Sequence, residues 1–133
     1  MNNRHKWRHN VYLKLQDIDV RLNLEFIRKA IQHLPGVTEK LCYNTPAFYV
    51  NKKIFTRMKE DCETLVIQTH EREKWMNADP FTFFVTDHYI NYDYVLVDLK
   101  TVSPEDLTKL LITAWYNRAP AKLVKDYENS VNN

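Results

Sequence analysis

Residues 83–89 hold the side chains with the clearest capacity for chemistry. Asp87 directly precedes His88, and a carboxylate beside an imidazole can act as a general base. Adjacent side chains of an extended segment point to opposite faces, however, so these two groups would not naturally face each other. No Ser or Cys nucleophile is tied to His88 by spacing, so a non-enzymatic protein is predicted. The alternatives for the pair are a binding pocket, catalysis, and a structural turn in which Asp87 accepts hydrogen bonds and His88 packs against Tyr89 and Tyr92.

A second group of residues, all basic, could contact phosphates. Lys52 and Lys53 fall near the tip of an expected hairpin, and other basic residues follow on that hairpin and near the last helices. The predicted nucleic-acid contacts are Lys52, Lys53, Arg57, Lys59, Arg118 and Lys122. Such contacts give affinity without reading base sequence. Lysines at hairpin tips also keep proteins soluble and discourage edge pairing, and the nearby acids Glu60, Asp61 and Glu63 would oppose an anion.

Composition narrows the classes of function. The 133 residues fit one domain, and a formal charge of +2 neither suggests nor forbids nucleic-acid binding. Gly36 is the only glycine, which excludes the Gly-rich phosphate loops of nucleotide-binding folds. Cys42 and Cys62 form no C-x-x-C pair, so neither a zinc site nor another cofactor is predicted. Without a signal peptide or a long apolar run, a cytoplasmic protein with reduced thiols and no membrane partner is expected.

Hydrophobic periodicity predicts the elements that must position these residues. An amphipathic stripe over residues 26–34 predicts a first helix, which Asn23 would cap and Pro35-Gly36 would end. A second stripe over residues 107–115 follows Ser103-Pro104, which is typical of a helix start. Two helices therefore present apolar faces that need a common partner.

Between these helices the pattern predicts an antiparallel sheet. Strand-like segments span residues 37–43, 47–51, 54–59, 64–69, 81–86 and 94–100, and their connections are too short for parallel crossovers. Alternation would put Ile54, Thr56 and Met58 on one face of the third strand and Phe55 and Arg57 on the other. The predicted fold class is α+β, with helices packed on one face of the sheet. The predicted core residues are Phe26, Ile31, Leu96, Leu107, Leu111 and Trp115.

Several short segments together resemble the YjbR/MmcQ family. They are Leu34-Pro35-Gly36-Val37, Thr45-Pro46-Ala47-Phe48, Phe83-Phe84-Val85-Thr86-Asp87-His88-Tyr89, Tyr94-Val95-Leu96-Val97, and Ala114-Trp115 with Ala119-Pro120. The likeness covers residues 22–128, with a basic extension at 1–21 before them and a polar tail at 129–133 after them. It implies a CyaY-like (frataxin) fold and DNA binding, with two hairpins acting as wings. Similar sequences often have glycine near positions 51, 52 and 62, where this chain has Asn51, Lys52 and Cys62.

The same resemblance brings the segment around Tyr43 close to residues 83–89 and so implies a cleft. The predicted pocket residues are Tyr43, Thr45, Pro46, Asp87, His88 and Tyr92. A bulge that bends a strand is the alternative for the segment around Pro46. Frataxin-like folds also suggest iron, but Glu25 is followed by Arg28 and Lys29 rather than by an acidic ridge, so no metal site is predicted.

Three functions remain as hypotheses. The first is a small non-enzymatic DNA-binding module, in which residues 4–9 would add a basic arm to the hairpin lysines. The second is a small-molecule or peptide-binding domain whose cleft includes Asp87 and His88. The third is an accessory domain that binds another protein through its surface and has no pocket chemistry.

Overall fold

One antiparallel sheet of six strands organises residues 21–132, the part of the chain that this computed structural model describes. The strands are β1 (Val37–Cys42), β2 (Thr45–Val50), β3 (Lys53–Met58), β4 (Thr64–Gln68), β5 (Phe83–Phe84) and β6 (Tyr94–Asp98), and they pair in the order β1-β2-β3-β4-β6-β5. The helices are α1 (residues 21–31), α2 (Arg72–Ala78), α3 (Pro104–Arg118) and α4 (Ala121–Asn132). Every strand pair is antiparallel, so the predicted α+β class is confirmed.

The helices α1 and α3 pack their apolar stripes against one face of the sheet. Ile31 from α1 joins Leu107, Leu111 and Trp115 from α3 in a buried cluster, as predicted. The Trp115 side chain is fully buried, and its indole Nε1 donates a hydrogen bond to the Pro35 carbonyl oxygen at 3.0 Å. A buried aromatic of this size removes roughly 150–250 Å² of surface from water. These contacts hold the helical layer in place.

Two of the predicted core residues lie outside the buried cluster under α1 and α3. Phe26 is only partly buried, at the margin of the cluster. Leu96 is fully buried, but it pairs with Val66 across β4 and belongs to the opposite face of the sheet. The sheet therefore has buried apolar side chains on both faces, and only one face is covered by α1 and α3.

The ends of the helices correct some of the predicted boundaries. Residues 21–31 are helical, so Asn23 lies inside α1 and does not cap it. Ser103 does cap α3, since its hydroxyl accepts a hydrogen bond from the Asp106 backbone N–H at 3.1 Å. The helix α4 continues to Asn132, so the predicted tail at 129 begins inside it. The predicted basic extension, apart from residue 21, and the arm at residues 4–9 lie outside the described residues.

A β-bulge shifts the alternation of side chains along β3. Thr56 pairs with Phe48 and Ile54 pairs with Tyr49, so Phe55 is one residue more than β2 can match. An extra residue in one strand reverses the faces of the residues on its two sides. The expected alternation of Ile54, Thr56 and Met58 on one face is therefore wrong.

The consequence of the bulge is that Phe55 and Met58 both enter the core under α1 and α3. Arg57 pairs with Val66, whose neighbours Leu65 and Ile67 face the core. Because adjacent residues of a strand face opposite sides, Arg57 and Val66 belong to the face turned away from α1 and α3. We call that side of the sheet the open face.

Two tight hairpin turns join β1, β2 and β3. Tyr43 and Asn44 have φ values of 50° and 64°, and Asn51 and Lys52 have φ values of 50° and 65°. Two-residue hairpin loops with positive φ at both positions normally use Asn-Gly or Asp-Gly, because glycine has no Cβ to clash. Tyr43 and Lys52 therefore adopt a backbone conformation that is unfavourable for their residue types, by about 1–2 kcal/mol each.

Replacing Lys52 by glycine should raise the free energy of unfolding by about 0.5–1 kcal/mol, because the left-handed conformation costs glycine nothing. Urea unfolding of the two proteins measures the difference. Lys53→Gly is the matched control: it removes the same charge from an ordinary strand position and should lower stability by about 0.5–1 kcal/mol. Equal effects of the two changes would contradict the assigned turn.

Candidate ligand-binding site

A cavity of about 170 Å³ lies at the open face of the sheet, beside the hairpin turn that joins β1 and β2. Most of its wall is apolar or aromatic, and a single charged side chain interrupts it. The lining residues are Cys42, Tyr43, Ile54, Thr56, Arg57, Val66, Tyr89 and Tyr94. Strands β3, β4 and β6 supply the floor, and the segment of residues 85–93 and the β1–β2 turn supply the walls.

The charged group in the wall is the guanidinium of Arg57, a residue that is only 9% exposed. Its Nη1 donates to the Thr45 hydroxyl at 3.2 Å, to the Met58 carbonyl at 3.3 Å and to the Glu60 carboxylate at 3.3 Å. Its Nη2 donates to the Tyr89 hydroxyl at 3.2 Å. Burial lowers the pKa of Arg57, but the hydrogen bond with Tyr89 and the charge of Glu60 raise it by more, so the group stays cationic.

The ion pair between Arg57 and Glu60 is longer than the ion pair between Arg28 and Glu39 in the same molecule. On the helix-covered side, Arg28 donates two hydrogen bonds to the two Glu39 carboxylate oxygens at 2.8 and 2.7 Å. Charge-assisted hydrogen bonds of this type are usually 2.7–2.9 Å long. The 3.3 Å contact of Arg57 with Glu60 is monodentate, and the Glu60 side chain is 58% exposed. The buried cation is therefore incompletely compensated by its own chain.

Tyr43 stands over this cation. The Arg57 Cζ atom lies 5.5 Å from the centroid of the Tyr43 ring, within the range of a cation–π contact. Tyr43 itself is 79% exposed and has a φ of 50°. A bulky aromatic residue in the left-handed region is a genuine conformational outlier. The hairpin turn thus holds an aromatic ring at the mouth of the cavity at a cost in backbone energy.

The opposite wall is held by a second arginine, Arg72 of α2. Its guanidinium donates to the carbonyl oxygens of Tyr89, Ile90, Tyr92 and Tyr94 at 3.3, 3.1, 2.9 and 3.2 Å. A planar fork of five N–H donors suits several converging acceptors. One side chain therefore gathers the carbonyl groups of a segment that has no strand ladder of its own between residues 85 and 93.

Two phenol groups of the wall each accept a hydrogen bond from an arginine. Tyr89 Oη accepts from Arg57, and Tyr94 Oη accepts from Arg118 Nη2 at 3.3 Å. The two rings meet edge to face with their centroids 5.8 Å apart. Because each hydroxyl accepts one bond, its own hydrogen is available to donate. Arg118 Nε is buried and has no hydrogen-bond partner among the described residues.

The turn after β3 carries Glu60 and is fixed by its neighbour Asp61. The Asp61 carboxylate accepts from the backbone N–H groups of Glu63 and Thr64, both at 2.9 Å, and from the Thr64 hydroxyl at 2.8 Å. Burial raises the pKa of Asp61, but these hydrogen bonds lower it by more. The pKa of Glu60 lies below its usual range because of a hydrogen bond from its own backbone N–H and the charge of Arg57. Both carboxylates are therefore ionised at neutral pH.

The structure brings together only part of the predicted pocket. Tyr43 lines the cavity, and the buried Thr45 hydroxyl accepts from Arg57. Asp87, His88 and Tyr92 are exposed, and neither they nor Pro46 belong to the cavity wall. The His88 ring packs edge to face on Tyr89 with centroids 4.7 Å apart, as the structural interpretation of this pair expected.

The predicted basic contacts divide into separate groups. Lys52, Lys53 and Lys122 are exposed, and Lys59 is half-buried. A strand rises about 3.3 Å per residue, so Lys52 and Lys59 are roughly 20 Å apart at opposite ends of β3. A contact with phosphate needs an exposed side chain. Arg57 is buried and Arg118 is half-buried, and both donate hydrogen bonds to tyrosine hydroxyls.

The residues that sequence reasoning missed are Tyr89, Tyr94 and Arg72. Tyr89 follows the predicted His88 and Tyr94 lies two residues after the predicted Tyr92, and these two tyrosines line the cavity where the predicted pair does not. The isolated charge of Arg57 inside the apolar run 54–58 was an available signal for a buried cation. Arg72 gave no local signal, because its acceptors lie 17 to 22 residues further along the chain.

Among residues 21–132, no group of three His, Cys, Asp or Glu side chains is close enough together to hold a metal ion. None of the helices within that range is both long and apolar enough to cross a membrane.

Comparison with known proteins gives relatives without a stated function. No protein-family model matches the chain. An uncharacterised protein of Mycobacterium tuberculosis, Rv2570, and one of Mycobacterium bovis, Mb2600, are each 37% identical to it over 49 residues. That segment is 37% of this chain and spans only 38% of the length of each relative.

A solved structure resembles the fold more extensively. The Deinococcus radiodurans protein DR2400, whose domain is described as DUF419, matches with a TM-score of 0.62. The match covers 69% of this chain and 75% of that one, at 21% sequence identity. The DUF419 description belongs broadly to the YjbR/MmcQ family. At this identity the likeness shows a shared α+β fold.

Replacing Arg72 by methionine should lower the free energy of unfolding by about 2 kcal/mol, since the carbonyl groups of residues 89–94 lose a charged donor. Amide hydrogen exchange should also accelerate at Tyr89 and Tyr92, whose N–H groups donate to the carbonyl oxygens of Thr86 and Tyr89. Lys74→Met, which removes an exposed cation from the same helix, should change stability by less than about 0.5 kcal/mol. Similar exchange rates in both variants would contradict the role of Arg72.

Proposed function

We propose that this chain is a YjbR/MmcQ-like, CyaY-like protein whose function is to bind a small ligand through one planar ring held in the cavity. The conformation of Tyr43 is the main support for this proposal. Its ring stands exposed over a buried guanidinium, on a residue with a φ of 50°. Strained backbone concentrates at ligand sites, where the surrounding structure holds it in place. A hairpin that served only to connect β1 and β2 would favour glycine or asparagine here.

The size and walls of the cavity favour a single ring. An apolar cavity of about 150 Å³ is large enough to bind benzene, and this cavity measures about 170 Å³. Tyr43, Tyr89 and Tyr94 offer ring edges and faces, and Ile54 and Val66 add an aliphatic floor. Such a space suits one aromatic group better than a drug-sized molecule, which usually needs about 300 Å³ or more.

Benzamide, a neutral single-ring probe, should bind with a dissociation constant of about 1 mM. Amide shifts in two-dimensional NMR should map to β3, β4 and residues 89–94. Tyr43→Gly should weaken benzamide binding at least about fivefold, because stacking of a ligand ring on one aromatic side chain is worth roughly 1–3 kcal/mol. That variant keeps the fold, since glycine accepts a positive φ.

Tyr92→Ala is the control for this experiment, because it removes an exposed tyrosine of the neighbouring segment that does not line the cavity. It should leave benzamide affinity unchanged within about twofold, the scatter expected of a remote surface change. Shifts that spread over the helical side, or equal losses in both variants, would end the proposal.

DNA binding, which the family resemblance implies, is the second candidate. Lys52 and Lys53 favour it because both are exposed at the hairpin turn between β2 and β3. Against it, Arg57 is buried and lines the cavity, and the turn at the other end of β3 carries Glu60 and Asp61. A stripe of phosphate contacts along β3 would have to cross that acidic end. Only the two lysines of the hairpin turn therefore support DNA binding.

A mobility-shift assay at about 50 mM salt tests the alternative, since phosphate contacts are strongest at low salt. If DNA binding is the function, the Lys52→Glu, Lys53→Glu double variant should abolish the shift. The double variant Lys29→Glu, Lys109→Glu makes the same change in net charge at exposed helix positions and should retain it. No shift with the unaltered protein, or equal loss in both, would exclude the hairpin as a DNA contact.

A further inference from the structure

We infer that the cavity selects an aromatic carboxylate, whose anionic group replaces Glu60 on the guanidinium of Arg57. This inference rests on the proposed function and specifies the ligand class of the same site. Arg57 is the charged residue in a wall that is otherwise aromatic, apolar or weakly polar. A ring that enters the cavity therefore brings any substituent it carries close to this cation.

The cation has weaker bonds than its chemistry permits. Three acceptors share Arg57 Nη1 at 3.2–3.3 Å, and only the Tyr89 hydroxyl is bonded at Nη2. A carboxylate that meets a guanidinium edge to edge makes two short, parallel hydrogen bonds. The Arg28–Glu39 pair shows that geometry at 2.8 and 2.7 Å. A ligand carboxylate would supply what the single 3.3 Å contact with Glu60 does not.

Glu60 is placed so that it can leave. Its side chain is 58% exposed, and it sits on a turn whose shape is fixed by Asp61 rather than by Glu60 itself. Moving the Glu60 carboxylate into water therefore breaks one long ion pair and the hydrogen bond from its own backbone N–H, and it leaves the turn intact. The exposed carboxylate loses little by this exchange, because a solvent-exposed ion pair contributes little to stability.

The charges of the surroundings favour one negative group over several. Glu60 and Asp61 are adjacent in the turn beside Arg57, and both are ionised at neutral pH. A polyphosphate would meet these acids with a single buried cation to compensate it. A carboxylate, with one charge and two coplanar oxygens, matches the fork without excess charge. The Tyr89 hydroxyl can donate a further hydrogen bond to the same group.

Titration of benzoate against benzamide, in the unaltered protein and in Glu60→Gln, tests the inference by the same NMR shifts. Benzoate should bind about tenfold more tightly than benzamide, as charge-assisted hydrogen bonds contribute more than neutral ones. Glu60→Gln should strengthen benzoate binding several-fold further, roughly fivefold, by removing the competing carboxylate. It should leave benzamide binding unchanged within about twofold.

Glu63→Gln is the matched control, because it removes one negative charge from the same turn, where Glu63 pairs with Lys100 and not with Arg57. Stronger benzoate binding in Glu60→Gln but not in Glu63→Gln supports displacement of Glu60. An equal gain in benzoate affinity in the two variants would reflect only the change in net charge and would overturn the inference. Equal binding of benzoate and benzamide would overturn the inference that the ligand is a carboxylate, while the proposed function would stand. Binding of neither probe would contradict both the inference and the proposed function.

Discussion

The extra residue in β3 is the constraint on which the site depends. Without the bulge at Phe55, strict alternation would keep Phe55 and Arg57 on one face, and either a charge would enter the core or a phenylalanine would leave it. With the bulge, Phe55 and Met58 fill the core under α1 and α3, and Arg57 faces the cavity. A local change of register thus lets one six-residue strand serve a dry core and a charged site.

Polar contacts of two arginines fix the segment that lies against the open face. Arg72 gathers four carbonyl groups of residues 89–94, and Arg57 links that segment to the β1–β2 turn through Tyr89 and Tyr43. A buried cation is weak evidence for stability, because its desolvation offsets most of what its partners contribute. The proposed ligand site gives a reason for a cation that lies at a cavity with a weakly bonded, exposed counter-ion.

Regular elements could be predicted from the sequence, and irregular ones could not. The stripe at 107–115, the Ser103 cap and the antiparallel order follow from periodicity and short connections. The departures from glycine at Asn51, Lys52 and Cys62 marked the positions that have positive φ in the structure. The bulge left no trace, since Phe55 and Thr56 both suit a strand. In residues 85–94 the side chains that line the cavity lie one or two positions from the predicted ones, because the contacts that orient this segment come from the distant Arg72.

A crystal structure of the protein soaked in 4-bromobenzoate tests most directly whether the cavity is a site for aromatic carboxylates. The bromine atom, located by its anomalous scattering, should lie among Tyr43, Tyr89 and Tyr94. The carboxylate should make two hydrogen bonds of about 2.8 Å to Arg57, with Glu60 turned into solvent. A cavity that stays empty at saturating ligand, or a carboxylate directed away from Arg57 while Glu60 keeps its contact, would contradict the account.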